Sequence, residues 1–221
     1  MADEVVVLDF WGSPFVMRVR IALAEKGIEY ESKEEDLSNK KSPLLLKMNP
    51  VHKTVPVLIH NGNPVCESAI IVRYIEEVWK DKYPLLPSDP YQRSQAIFWA
   101  DFVDKKIFGT GRRMWLATGE EEREAAAAEL IEWFKQLEGE LGEKAHFGGE
   151  VFGYVDVTLI PFYSWFYTYE TFGKFAMSEQ CPKLVAWAER CLQRESVSRS
   201  LPDGHRVYDF VLQLRKKFGV A

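Results

Sequence analysis

Cysteine is scarce. The chain has three in 221 residues, at positions 66, 181 and 191. No two are spaced CxxC, and none stands with histidine at metal-ligand spacing. That excludes a disulfide framework and a cysteine-based metal site, and reads as reduced thiols in the cytoplasm. Clustered positive charge is also missing. The longest basic run is Arg215-Lys216-Lys217, and the net charge is −5. Phosphate contacts need clustered Lys and Arg, so nucleic acid is excluded as a partner. No apolar run approaches the ~18 residues a membrane span requires. The apolar stretch at residues 5 to 11 has no basic segment before it and charge after it, so it is not a signal peptide. No internal repeat is visible. What remains is a cytoplasmic globular chain, 47% apolar and 14% aromatic, with enough apolar side chains for a sizeable core.

The chain opens on its most informative stretch. Val5-Val6-Val7-Leu8-Asp9-Phe10-Trp11 has the length and composition of a strand. Gly12-Ser13-Pro14 breaks it, with Ser13 at an N-cap position and Pro14 at the first helical position. Val16, Val19, Ala22 and Leu23 then repeat at helical spacing, with Arg18, Arg20, Glu25 and Lys26 off that face. Gly27 stops the helix. Such a turn aims amide N–H groups and a hydroxyl outward, and the helix N-terminus favours an anion, a thiolate included. A serine hydroxyl can cap the helix and still donate its own proton.

The next segments complete a β-α-β-α-β-β-α order. Glu29 to Glu34 reads as a short exposed strand and Leu44 to Met48 as a short helix stopped by Asn49-Pro50. Val55 to His60 is strand-like although Pro56 lies inside it, which demotes it to an edge strand or marks a special bond. Asn61-Gly62 is a hairpin turn into Pro64-Val65-Cys66. Glu67-Ser68 opens a helix with Ile70, Ile71, Tyr74, Ile75 and Val78 as its apolar stripe.

Composition shifts at Asp81. Residues 82–90, rich in Pro, Asp and Ser around Leu85-Leu86, form a linker between a 1–81 domain and a helical 91–221 domain. The predicted helices there run over 91–118, 120–141, 152–172, 182–195 and 205–218. Aromatic residues gather on three of them. Phe108, Gly111, Arg112 and Trp115 share one face. Trp165, Phe166 and Tyr169 share another, and Phe210, Leu214 and Phe218 line the last helix. Helix–helix core accounts for most of these, although Arg112 among tryptophans fits a face that opens on a pocket.

In order and spacing the chain resembles the cytosolic glutathione transferases, and among them the plant tau class. The matching pieces are Asp9 to Phe15, Asn49 to Lys53, Val55 to Leu58, His60-Asn61-Gly62, Glu67-Ser68, Tyr154-Val155-Asp156 and Pro182 to Asp203. The resemblance implies an α/β thioredoxin-like N-terminal domain, an all-α C-terminal domain and a homodimer. It implies glutathione as co-substrate, with no cofactor permanently bound. The glutathione thiol would be conjugated to hydrophobic electrophiles, with reduction of organic hydroperoxides as a further activity. Ser13 would hold the glutathione sulfur as thiolate. An ordinary thiol has a pKa near ~8.5, and lowering it by about two units takes ~2.7 kcal/mol. A hydrogen bond to a charged group supplies ~1.5–3 kcal/mol and a helix N-terminus ~0.3–1, so no general base is required.

On the same resemblance, the Val55-Pro56 bond is cis and the Val55 backbone pairs with the cysteinyl backbone of glutathione. Glu67 and Ser68 take the γ-glutamyl ammonium and carboxylate. Phe10, Trp11, Phe15, Phe108, Arg112, Trp115, Trp165, Phe210 and Leu214 line the site for the electrophile. Two departures stand out. Asn39-Lys40-Lys41-Ser42 is one residue longer than the family pattern, so either Lys40 or Lys41 would meet the glycine carboxylate. Thr54 stands where a lysine is usual, and Lys53 beside it would point the other way in extended backbone. Weaker glutathione binding is therefore expected. Asp156 is expected to be structural, as half of a capping box opposite Gly153. A cysteine-type thioltransferase or dehydroascorbate reductase would need a thiol where Ser13 stands, and Cys66 belongs to a strand end. The alternative reading is a non-catalytic carrier for flavonoid- or porphyrin-like molecules.

Overall fold

The computed structural model describes residues 3–37 and 41–220, and it divides into two compact units between Leu86 and Pro87. The first unit is a four-stranded sheet of order β2-β1-β3-β4, made of β1 (Val5–Asp9), β2 (Glu31–Glu34), β3 (Val57–His60) and β4 (Asn63–Cys66). β1 runs parallel to β2 and antiparallel to β3, and β3 is antiparallel to β4. Its helices are α1 (Pro14–Glu25), α2 (Pro43–Met48) and α3 (Ser68–Val78). Alternation divides the sheet's side chains. Val6, Leu8, Val57 and Ile59 form one cluster with Leu45 of α2. Val5, Val7 and Leu58 face the other way and are equally buried, on the face left to the packed pair α1 and α3.

Local chemistry sets the element ends. Asn61 and Gly62 both take positive φ, as the two-residue hairpin between β3 and β4 demands. Gly27 has φ +63°, the Ile28 N–H reaches the Leu23 carbonyl at 2.9 Å and the Gly27 N–H reaches Ala24 at 3.0 Å, closing α1 in a Schellman motif. β1 ends at Asp9, so Phe10 and Trp11 leave the apolar run and belong to the turn. Asp9 is buried and holds Arg20 through both carboxylate oxygens, at 2.9 and 2.5 Å, and the Ser32 hydroxyl at 2.8 Å.

Two of the cations that lie off the apolar face of α1 are nevertheless buried. Lys26 is 2% exposed. Its Nζ lies 2.5 Å from Glu76 of α3, and the Glu76 carboxylate accepts the N–H groups of Leu85 and Leu86 at 3.0 and 3.2 Å. Arg18 has no exposed surface. The predicted stripe of α3 also shifts. Ile70 and Val78 are exposed, and Ser68, Val72 and Glu76 take the inner face with Ile71 and Ile75. A buried charge is tolerated where a partner is built for it, and periodicity of apolar residues carries no information about such partners.

The second unit is helical: α4 (Pro90–Leu116), α5 (Glu120–Leu141), α6 (Tyr154–Leu159), α7 (Phe166–Gly173), α8 (Met177–Gln180), α9 (Pro182–Leu192), α10 (Glu195–Ser198) and α11 (Gly204–Lys217). The continuous helix expected over 152–172 is broken. Ile160–Trp165 is a 3-10 segment between α6 and α7, with Pro161 in its first turn, because proline has no N–H to continue the α ladder. The helix expected over 182–195 ends at Leu192, and α8 before it has no counterpart in the reading of the sequence.

Asp156 is the polar centre of this unit and has no exposed surface. It accepts the Phe147 N–H at 3.1 Å, the Gly153 N–H at 2.9 Å and the Trp187 indole N–H at 2.7 Å. Gly153 has no side chain to return a bond, so the capping is one-sided. Burial pushes the Asp156 carboxyl upward, against these three donors and His146.

Candidate functional site in the first unit

Ser13 ends a tight turn in which its N–H donates to the Phe10 carbonyl at 3.1 Å. It is the N-cap of α1 with extended φ and ψ, and its Oγ accepts the Val16 N–H at 3.3 Å. Among the described residues, no acceptor takes the hydroxyl proton. Ser13 is half-buried, and Phe10 and Trp11 flank the turn with ring centroids 5.7 Å apart. Phe15 lies one residue inside the helix, with the Arg18 guanidinium 5.0 Å from its ring centroid.

Sheet register brings the other segments to the same end. β1 finishes where β3 begins, since Leu8 pairs Val57 and Val57 pairs Cys66, the last residue of β4. Val55-Pro56 therefore sits beside the end of β1, and Glu67-Ser68 follows directly from β4. The Val55-Pro56 bond is cis. Outside the strand ladders, no described residue hydrogen-bonds the Val55 backbone.

Asn49 organises the approach to Val55. Its side-chain amide donates to the Thr54 carbonyl at 3.0 Å, its Oδ1 accepts the His52 N–H at 3.0 Å, and its carbonyl accepts the Lys53 N–H at 2.9 Å. This folded turn corrects one expectation. Lys53 has φ +57°, so the alternation of extended backbone does not decide where Lys53 and Thr54 point. Both are exposed.

Glu67 and Ser68 differ in setting. Glu67 is the N-cap of α3 with φ +69°, a conformation rare outside glycine. Its carboxylate is 50% exposed and 3.9 Å from His52 Nε2. Ser68 is buried, and its Oγ accepts from Arg18 Nη1 at 3.2 Å. The Ser68 hydroxyl thus receives one hydrogen bond from beneath and keeps a proton to donate. Arg18 and Asn49 are the residues that sequence reasoning missed. The one signal for Arg18 was a charged residue between Met17 and Val19 in a segment otherwise core-like.

Lys40 lies outside the described residues. Lys41 is exposed and precedes Ser42, the N-cap of α2, whose hydroxyl donates to the buried Glu35 at 2.6 Å. Cys66 is half-buried, with its thiol 3.7 Å from the Met48 carbonyl. Burial, and then the Glu67 charge, push this thiol up, which leaves it protonated and a poor nucleophile at neutral pH.

The remaining predicted positions lie in the second unit. Trp115 and Trp165 are buried, Phe108, Phe210 and Leu214 half-buried and Arg112 exposed. Phe108 meets Trp165 edge-to-face with centroids 6.3 Å apart. The Arg112 guanidinium is 5.9 Å from the Phe218 ring centroid, and Arg215 donates to the Trp115 carbonyl. Close packing explains Gly111, where a Cβ would stand 2.5 Å from Tyr169 Cε1. His146, Asp156 and Cys191 bring possible metal-ligand atoms within 4.8 Å of one another. Asp156 Oδ1 already accepts two N–H bonds, and burial holds the Cys191 thiol up, so the trio reads as packing around a structural carboxylate.

Comparison with known proteins shows the family. Residues 4–77 match the model of the glutathione S-transferase N-terminal domain, and residues 81–195 that of its C-terminal domain. Over 219 residues the chain is 64% identical to the probable glutathione S-transferase parC of Nicotiana tabacum, covering 99% of this chain and 98% of that protein. It is 61% identical to glutathione S-transferase U25 of Arabidopsis thaliana, covering 100% and 99%. Rice GST1 (OsGSTU1), solved in complex with glutathione, superposes with a TM-score of 0.95 at 48% identity, covering 99% of each chain. The tau-class MiGSTU of mango superposes at 0.90 with 40% identity, covering 96% and 98%. The chain is a glutathione S-transferase of the plant tau class, with a thioredoxin-like glutathione domain and a helical C-terminal domain.

Proposed function

We propose that Ser13 activates the glutathione thiol by donating a hydrogen bond to the thiolate, and that the enzyme conjugates that thiolate to hydrophobic electrophiles such as halonitroarenes and isothiocyanates. One observation carries this reading. Ser13 Oγ accepts the Val16 N–H at the start of α1, and its proton has no acceptor among the described residues. The sulfur would sit where a hydroxyl donor and a helix N-terminus both favour negative charge. Val55 would pair with the cysteinyl backbone, Ser68 would donate to the γ-glutamyl carboxylate and Glu67 would accept from the ammonium. Lys41 is the described lysine suited to the glycine carboxylate, with Lys40 the alternative outside the described residues.

A glutathione-dependent turnover assay with a halonitroarene, run beside dehydroascorbate reduction, tests the proposal. Conjugation without reduction supports it. Reduction without conjugation would assign the chemistry to a thiol, and neither activity beside tight apolar-ligand binding would support the carrier reading.

Arg18 acts beneath this site as a positioning residue. Its guanidinium fixes Ser68 Oγ as an acceptor, which directs the Ser68 proton outward, and its charge lies under the position proposed for a carboxylate. Arg18→Met should raise the glutathione Kd about tenfold, ~1.4 kcal/mol, with kcat at saturating glutathione nearly unchanged. Steady-state kinetics at varied glutathione check this, and a fall in kcat with an unchanged Kd would refute it. Thr54→Lys adds one exposed cation beside the proposed tripeptide and should tighten Kd by about two- to fivefold, the range of an exposed ion pair. Equal Kd values by calorimetry would show that Thr54 is no handicap.

Homodimerisation is part of the proposal. Val51 and Ile70 of the first unit are 80% and 56% exposed, and Tyr91 and Phe98 of the second are 71% and 56% exposed. Large apolar side chains left open in this way are consistent with burial against a second copy. Unpaired cysteines fit a reducing cytoplasm.

A further inference from the structure

The helical unit contains a cavity that none of these roles uses. Its volume is about 450 Å³, within the range of small-molecule sites. Tyr163 and Phe166 wall one side, with ring centroids 5.4 Å apart. Tyr167 and His205 wall another, with centroids 4.1 Å apart. Where α11 begins, a Cβ on Gly204 would come within 3.3 Å of Tyr167 Cβ and 3.5 Å of the Ser164 carbonyl oxygen, so the start of α11 passes close to the Ser164–Tyr167 segment.

The charge of the cavity is one-sided. Glu170 and Asp203 line it, and among the described residues no lysine or arginine does. Asp203 is committed, since its Oδ1 caps α11 through the His205 and Arg206 N–H groups at 2.9 and 3.3 Å. Glu170 is only half committed. One carboxylate oxygen accepts the Met177 N–H at 2.7 Å, and the second has no partner among the described residues. The local field is negative enough to be felt by a neighbour: burial first, then Glu189 and Glu170, hold the Tyr163 phenol above its usual value.

We infer that this cavity binds an organic ammonium ion, a quaternary or protonated amine carrying an apolar body. Aromatic faces attract a cation through their quadrupole, and the attraction grows as the site excludes water. Glu170 supplies the formal counter-charge. Val185 and Leu192 of α9 and Leu201 offer apolar wall for the rest of the molecule. An anionic compound would meet Glu170 without a compensating cation. None of the residues proposed for glutathione or for the electrophile lines the cavity, so its occupant need be neither glutathione nor a conjugate.

Calorimetric titration of the full-length protein with benzyltrimethylammonium, benzyl alcohol and benzenesulfonate tests this. The cation should bind at about millimolar Kd or tighter, and at least ~10-fold more tightly than either ring compound without positive charge. Glu170→Gln keeps an oxygen for the Met177 N–H and removes the charge. It should weaken the cation about tenfold and leave benzyl alcohol and halonitroarene conjugation unchanged. Equal binding of the three probes, an unaltered cation Kd in Glu170→Gln, or no heat from the cation would each overturn the inference. Conjugation is read separately in the same preparations, so failure of the Ser13 proposal would not be mistaken for failure of this one.

Discussion

Ser13→Ala should leave the fold intact and raise the pKa of enzyme-bound glutathione by about two units. The serine has two jobs, and they differ in size. As the cap of α1 it holds one N–H at 3.3 Å, and loss of a serine cap costs ~0.5–2 kcal/mol, too little to unfold a domain of ordinary stability. As the proposed sulfur donor it accounts for ~1.5–3 kcal/mol of preference for the anion. Two pKa units lower the thiolate fraction at neutral pH about 25-fold. The less stabilised thiolate is also intrinsically more nucleophilic, with a Brønsted slope of ~0.4–0.5, which restores about six- to tenfold. The rate at neutral pH therefore falls by about threefold from basicity alone, and by up to ~25-fold if orientation is lost as well. The more discriminating result is the pH profile, whose midpoint moves up by about two units. Ser13→Gly separates the two jobs, because glycine caps nearly as well as serine and donates nothing to sulfur. It should match Ser13→Ala in thiol pKa and exceed it in stability.

The largest effect on stability is expected at Asp156. Its carboxylate is the shared acceptor for the Phe147 and Gly153 N–H groups and the Trp187 indole, tying the segment before α6 to α9. Asp156→Ala strands all three donors in a site with no exposed surface. Each buried donor left without a partner costs ~1–3 kcal/mol. With partial relaxation the sum should be about 3–5 kcal/mol, a large share of the ~5–15 kcal/mol that holds a domain folded. Urea unfolding followed by tryptophan fluorescence would measure it. Asp156→Asn keeps an acceptor oxygen and should lose less. A loss below ~1 kcal/mol in Asp156→Ala would mean that the carboxylate is not what holds this region together.

The devices legible from sequence were the local ones. Ser13-Pro14, Gly27 and Asn61-Gly62 each act within a few residues, and each was placed correctly. Arg18, Lys26 and Glu76 were beyond reach for the opposite reason. Their burial depends on partners about fifty residues away, Arg18 with Ser68 and Lys26 with Glu76, and spacing along one helix contains nothing about a second. The break at Pro161 was legible in principle, since proline interrupts an α ladder, but the aromatic run around it masks the stop. Lys53 shows a third kind of gap. An extended reading of residues 53–54 is reasonable from composition, and Asn49 overrides it by gathering three backbone groups into a turn, two through its side chain and one through its own carbonyl. The positions around Ser13 were readable because strand, turn and helix start are adjacent in sequence, and sheet register then carries Val55 and Ser68 to them.

One hydroxyl at one helix start is proposed to ionise the glutathione thiol. Titration of the binary glutathione complex by thiolate ultraviolet absorbance tests it most directly, comparing the natural protein with Ser13→Ala and Ser13→Thr. In the natural protein the bound thiol should have a pKa about two units below the free value of ~8.5. In Ser13→Ala it should lie near the free value, and in Ser13→Thr, which restores the hydroxyl, it should recover. A low pKa retained in Ser13→Ala, with glutathione still bound, would contradict it and move the source of activation to another group.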